Sequence, residues 1–472
     1  MADHDHAIVL TRTHVPVSAS TPASTSVSPG VPLVGGGLLP LAFVVAALVS
    51  LIASVGWAVV APDVLAYHHL HPHVAAHVHL WLPGCLLAVC IGVIYQMMPV
   101  VLGVALRAPV SLPWIHLVLH FSGTGAMVLG FVGARFEHVA LGGSALAAGA
   151  LLLAITAWRT FLRSDRRDTI AWSFPVSTTW LFATAAIGVF AAVNRRWPML
   201  PVSPVALLQA HAHLGLAGFF LSLLQGATFQ LVPMFTMGTL RRPRCVAAGF
   251  ACAQTGLVFL VGGLTTAHTW LAWFGIATLV AGVALSATAF LATLAGRRRR
   301  RLDPGVRAFV VGAALLGLAA VVGSIAFAGS VPVSDVTSMY GLLVVAGLSA
   351  TVLGMLGKIV PFLVWMRAYG PRVGRIPVPA ATSLGEPRLQ TLWLAAHLAA
   401  FGLLVAARAH DAFRFLAEAA AWLLLVAVAL FVADTACTLD HLRRPRTPQP
   451  AASPALTSPT ATHAHLHPDS SR

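Results

Sequence analysis

The sequence predicts an all-α integral membrane protein whose twelve transmembrane helices form three pseudo-repeated four-helix units. Three observations predict it. Of 472 residues, 58% are hydrophobic and only 9% are charged, whereas a soluble domain carries roughly a quarter charged residues. Apolar runs of about 20 residues, enough to cross a bilayer, recur along the chain. A motif built on paired histidines recurs at a fixed interval.

Spans are expected near residues 37–61, 75–104, 113–135, 137–163, 172–193, 205–237, 245–266, 270–296, 305–328, 336–367, 389–409 and 414–439. They group into units 37–163, 172–296 and 305–439 of one membrane domain, 37–439. Residues 1–36 are rich in Ser, Thr, Pro and Val and lack the basic start and compact apolar stretch of a signal peptide. Residues 440–472 are rich in Pro, Thr and Ala. Both segments read as disordered tails.

The net charge of +15 does not point to nucleic acid, because the arginines cluster in alternate loops. Arg107, Arg159 to Arg167, Arg241 to Arg244, Arg297 to Arg301, Arg367 to Arg388 and Arg443 to Arg446 fall in one set of loops. Arg135, Arg195, Arg196, Arg408 and Arg414 fall in the other. Cytoplasmic loops carry the excess of basic residues. Both termini are therefore expected in the cytoplasm, in a bacterial-type inner membrane. The five cysteines show no C-x-x-C spacing and read as small buried hydrophobes.

Span 2 opens on His77-Val-His79 and span 6 on His211-Ala-His213. Gly84, Gly92, Gln96 and Pro99 match Gly218, Gly226, Gln230 and Pro233 at one constant interval. Span 10 repeats the glycine-to-proline spacing with Gly354 and Pro361. It carries Lys358 in place of the glutamines, and Met339 and Gly341 in place of the histidines. Each of these spans is expected to enter from outside and to break at its proline. Imidazoles entering a bilayer are expensive and usually functional.

This architecture, over residues 37 to 439, resembles subunit I of the haem–copper oxidases, which has twelve helices in three four-helix arcs. In that family, helices 2, 6 and 10 carry the metal ligands. The motif His77, His79, Gly84, Gly92, Pro99 is more similar to the NnrS family of haem–copper membrane proteins, associated with the response to nitric oxide. That family's acidic residue after the second His is replaced by Leu80. The resemblance implies haem b, with copper as a second metal. The oxidases' His-x-His on helix 10 and adjacent copper histidines near helix 7 are missing; only His268 stands near the latter. Gly215 stands where the oxidases place a tyrosine after the helix 6 histidine, or Ala217 if counted from His213. These departures argue against an oxygen-reducing centre of the oxidase kind.

Residues two apart on a helix point roughly 200° apart. His77 and His79 therefore do not ligate one metal from a regular helix, and neither do His211 and His213. On a straight helix His77 shares its side with Gly84, Gly92 and Pro99, and such glycines admit a second helix or a flat macrocycle. That favours His77 and His211 as axial ligands, with His79 and His213 facing a second site; the opposite assignment stays open. His116 and His120, four apart, share one face and are a lesser metal candidate. Lys358, the only lysine, needs an acceptor in the inner half of span 10. Gln96 or Gln230 would make with it a proton path or inner pocket. His397 of span 11 is expected to face Glu418 or Asp434, or to make a simple interhelical bond.

The leading function class is haem-based electron transfer or diatomic gas binding, an oxidoreductase activity included. The partners are then the lipid bilayer, a quinone or cytochrome electron donor, and a second membrane subunit. The chain has no C-x-x-C-H and so carries no covalent haem. The alternative class is a histidine-lined copper or zinc transporter, since repeats and proline-broken helices also mark secondary transporters. A non-catalytic membrane subunit is the third.

Overall fold

The computed structural model describes residues 37–329 and 333–445. They form twelve helices long and apolar enough to cross a membrane, with no strand among the described residues. In chain order these are α1 Leu38–Val60, α2 Pro72–Leu102, α3 Ser111–Val132, α4 Phe136–Phe161, α5 Thr169–Arg196 and α6 Pro204–Thr236. They continue with α7 Pro243–Thr265, α8 Thr269–Ala295, α9 Pro304–Ala328, α10 Val333–Ala368, α11 Pro387–Ala409 and α12 Leu416–Arg443. All twelve expected spans are present. Residues 1–36 and 446–472 lie outside the described residues; of 440–472, α12 takes in residues up to Arg443.

Local chemistry sets the helix starts. The side chains of Asp168, Ser203 and Asp303 accept bonds from the first-turn amides of Ala171, Ala206 and Val306, satisfying donors that a helix leaves unpaired. Pro204, Pro243, Pro304 and Pro387 stand first in their helices, where the missing N–H is not needed.

Sequential helices pack as hairpins: α3 with α4, α7 with α8, α9 with α10, and α11 with α12. Close approach explains the glycines. A Cβ on Gly142 would stand 2.6 Å from the Met127 amide nitrogen, and one on Gly256 would stand 2.8 Å from the Gly275 carbonyl. The first span also packs on the last, α1 on α12. The principal buried core is contributed chiefly by α1, α2 and α10, with the inward faces of α6, α12 and their neighbours.

The long helices do not break at Pro99, Pro233 or Pro361. Each continues past its proline, to Leu102, Thr236 and Ala368. The irregularity lies in the first half instead. Leu82–Leu87 of α2 and Leu214–Leu221 of α6 are π-helical. In α2 the cause is visible: Pro83 has no N–H to give to the His79 carbonyl four residues back. Both π segments end at matched positions, before Ala88 and Ser222. Both helices also end on a left-handed residue, Gly103 (φ 68°) and Met237 (φ 54°).

Candidate functional site

The histidine pairs lie directly before the π segments, at the end of the bundle opposite the arginine-rich loops. The face of α2 that carries His77, Gly84 and Gly92 packs on α1. A Cβ on Gly84 would stand 2.9 Å from Ser50 Cβ, and one on Gly92 would stand 2.8 Å from Phe43 Cβ. Of the two roles open to these glycines, helix approach is the one they serve. His77 turns the same way. Its Nε2 lies 3.1 Å from both Ser54 Oγ and Ser54 O, and Trp57 stands edge-on to its ring.

His79 and His211 meet instead. Their ring centres are 6.2 Å apart with planes 22° from parallel. His79 Nδ1–H donates to the Ala75 carbonyl, 2.6 Å away on its own helix. His211 Nδ1–H donates to the Thr184 carbonyl of α5 at 2.9 Å. Carbonyl partners fix both tautomers, so each Nε2 keeps its lone pair. Neither Nε2 makes a hydrogen bond among the described residues. The His211 ring lies on Gly188 of α5, where a Cβ would stand 2.8 Å from His211 Cε1. Phe131 packs on the other ring, its centre 5.1 Å from that of His79. Sequence reasoning missed Thr184 and Gly188. Their four-residue spacing, which puts a hydroxyl residue and a small residue on one face of α5, was the available signal.

His213 repeats the His79 arrangement. Its Nδ1–H donates to the Gln209 carbonyl four residues back at 2.8 Å. Its neighbour is Tyr340 of α10, ring centres 6.4 Å apart and planes 17° from parallel. Tyr340 too was missed by sequence reasoning, which looked to Met339 and Gly341.

His116 and His120 are both buried and both engaged. His116 Nδ1 lies 3.0 Å from the Tyr95 hydroxyl. His120 Nε2–H donates to the Pro83 carbonyl at 2.9 Å, a carbonyl inside the π segment of α2. The His120 ring braces the widened turn. Among the described residues no group of three or more His, Cys, Asp or Glu is arranged to hold a metal ion.

The polar groups of the arginine-rich end are dispersed. Lys358 turns from the glutamines to Asp303, the N-cap of α9, with Nζ 2.6 Å from Oδ2. Gln230 Oε1 accepts from both terminal nitrogens of Arg166, at 3.3 and 3.4 Å. Gln230 lines a cavity of about 80 Å³ between α2, α5, α6, α9 and α10, with Cys90, Met97, Thr351 and Met355 among its walls. Gln96 is buried. Asp434 accepts from Glu386 N at 2.6 Å and from Gln390 Nε2 at 3.0 Å. His397 bonds the Ala346 carbonyl of α10 at 3.1 Å, the simple interhelical bond.

Outside the spans, the His68 and His69 rings lie against each other, tilted, with centres 4.1 Å apart. Partial burial, His68 and the Arg408 guanidinium hold His69 below the usual imidazole range. No protein-family model matches this chain, and no curated protein matches it in sequence.

Proposed function

We propose that this chain is a haem-binding membrane protein of the oxidase subunit I type, with the haem iron held between α2 and α6 by His79 and His211. One observation carries the reading: two near-parallel imidazoles, 6.2 Å between ring centres, each anchored at Nδ1 and free at Nε2. At about 2 Å per metal–nitrogen bond, two imidazoles sharing one metal have ring centres about 6 Å apart. Metal-bound histidines usually donate their second ring N–H to a carbonyl or carboxylate, which fixes orientation and raises basicity. Ala75 O and Thr184 O serve that role here. The ring spacing, the two anchors and the unbonded Nε2 atoms are what support this pair as the residues that would hold the group.

Bound haem supplies a one-electron couple, and two imidazole ligands make it an electron-transfer centre. The chain's own residues hold the ligand tautomers and, through Phe131 and Gly188, pack the rings. Binding of a diatomic gas such as nitric oxide would require one imidazole to leave. A quinone or a partner subunit would supply the electron.

The matched π segments and matched left-handed ends of α2 and α6, and the closure of α1 on α12, support an arrangement in three four-helix units. The arginine distribution supports cytoplasmic termini in a bacterial-type inner membrane, with the histidine pairs near the outer face.

Oxidised and reduced visible spectra of the purified protein, with metal analysis of the same sample, test this. The expected result is a Soret band with stoichiometric iron. Bound copper or zinc without a Soret band would replace the reading with the metal transporter. Neither haem nor metal, after expression with haem supplied, would leave only a structural role.

A further inference from the structure

Away from the histidines, the arginine-rich end carries a cleft between two spans. α9 and α11 both pack on α10. Between them lies an apolar space of about 240 Å³, walled by Leu302, Pro304, Val310, Val311 and Leu394. Arg307 and Thr391 complete the lining. Both helices begin at the arginine-rich end, at Pro304 and Pro387, so a rising residue number means greater depth. Val310, Val311 and Leu394 therefore lie about one helical turn, roughly 5 Å, deeper than Arg307 and Thr391.

Arginine marks the mouth. Arg307 Nη2 donates to Thr391 Oγ1 at 3.1 Å and bridges the two walls. Thr391 Oγ1 in turn donates to the Pro387 carbonyl at 2.8 Å, so its proton is committed and the guanidinium is held across the opening. A guanidinium has five N–H donors in a planar fork, and those left over match a phosphate. Arg388, three residues before Thr391, shares its side of α11, and both arginines are exposed. Neither has a carboxylate partner among the described residues. Asp303, four residues before Arg307, is taken by Lys358 at 2.6 Å and Arg299 at 3.6 Å. Glu386 lies beside Arg388 in sequence, but the run from Arg297 to Arg301 keeps the local balance positive.

We propose that this cleft holds one anionic phospholipid, its phosphate on Arg307 and Arg388 and an acyl chain on Val310, Val311 and Leu394. Cations at the rim with apolar walls one turn deeper match the order of such a lipid, phosphate outside and hydrocarbon inside. Basic pockets between membrane helices take anionic headgroups in this way. The occupant needs both parts. A free phosphate ion leaves the apolar walls uncovered, and an uncharged chain leaves the guanidiniums without an anion. A phosphatidylcholine headgroup brings a quaternary cation toward two arginines, which selects against it. The proposal is independent of the haem reading.

The test is native mass spectrometry of the full chain released from nanodiscs of phosphatidylglycerol and phosphatidylcholine in equal parts. Wild type is compared with Arg307→Gln, Leu394→Trp and Arg300→Gln. The wild type should retain one phosphatidylglycerol in preference to phosphatidylcholine. Arg307→Gln changes an exposed side chain, so folding should survive, and retention should fall about tenfold, the worth of one charge-assisted hydrogen bond. Leu394→Trp fills the cleft without changing charge and should lower retention at least as far. Arg300→Gln, in the basic run but outside the cleft, should retain the lipid as wild type does. Equal retention of the two lipids would overturn the site. Equal loss in Arg307→Gln and Arg300→Gln would also overturn it, leaving only the general attraction of a basic surface. Displacement of the lipid by inorganic phosphate would assign the rim to a free anion and overturn the lipid.

Discussion

His77 and His211 occupy the same position of a repeated motif, yet their surroundings assign them different work. Both turn toward the helix that precedes their own. α1 offers His77 a hydroxyl and a carbonyl from Ser54, both on its Nε2. α5 offers His211 the Thr184 carbonyl on Nδ1 and bare backbone at Gly188. The His77 ring is bonded through the nitrogen that the other three histidines leave unbonded. The His211 ring is free at Nε2 and lies against His79. A repeat in sequence conserves position, and the neighbouring helix decides which nitrogen is left over.

The comparison breaks most sharply on haem retention. Replacing both His79 and His211 with Ala should abolish the Soret band, whereas His77→Ala should retain most of it. Equal loss in both proteins would end the distinction between the two histidines. A smaller effect tests the seat of His211. Gly188→Val places a side chain where even a Cβ alone would stand 2.8 Å from the ring. Haem affinity should fall about tenfold, as when a residue orienting a ligand is changed. Gly56→Ala, with nothing within 4 Å of its added Cβ, should leave haem binding unchanged.

The π segments differ in a second way that thermal unfolding can read. His120 bonds the Pro83 carbonyl in α2. His120→Phe keeps the bulk of the ring and strands that carbonyl in apolar surroundings. A buried acceptor left unpaired costs about 1–3 kcal/mol. A melting temperature equal to wild type would mean that the carbonyl finds another donor.

How far the sequence was legible divides along the same lines. Spans were readable because apolar length is a local property, and all twelve stand where their hydrophobic runs put them, within a few residues. The paired histidines were readable as a repeat. Which of them meet was not, because that depends on contacts between helices. The prolines misled: Pro99, Pro233 and Pro361 lie in the last turns, where few downstream residues depend on them and the helix runs on. Pro83 sits at the widened turn, and no rule applied to the sequence marked it. Tyr340 was hidden for the same reason. A gapless match carries an α-helical count across a π turn and lands one residue short. The disordered tail expected at residues 1–36 lies outside the described residues.

Lys358 provides the smallest and most specific comparison, because α2 and α6 carry Gln96 and Gln230 at the matching position. Its side chain is 10% exposed and that of Asp303 is 24% exposed. The pair therefore lies between the exposed ion pair, where about 0.2–1 kcal/mol is typical, and the buried one, where removing one partner is far more damaging. Asp303 also has Arg299 at 3.6 Å, so it is not left alone when the lysine goes. Lys358→Met should then destabilise by about 1 kcal/mol, near the upper end of the exposed-pair range. Asp303→Asn in the Lys358→Met background should add less than it does alone, because the partner charge is already gone. Fully additive effects in this double-mutant cycle would mean that the two side chains are neighbours without coupling. Lys358 would then serve the arginine-rich end only as another cation.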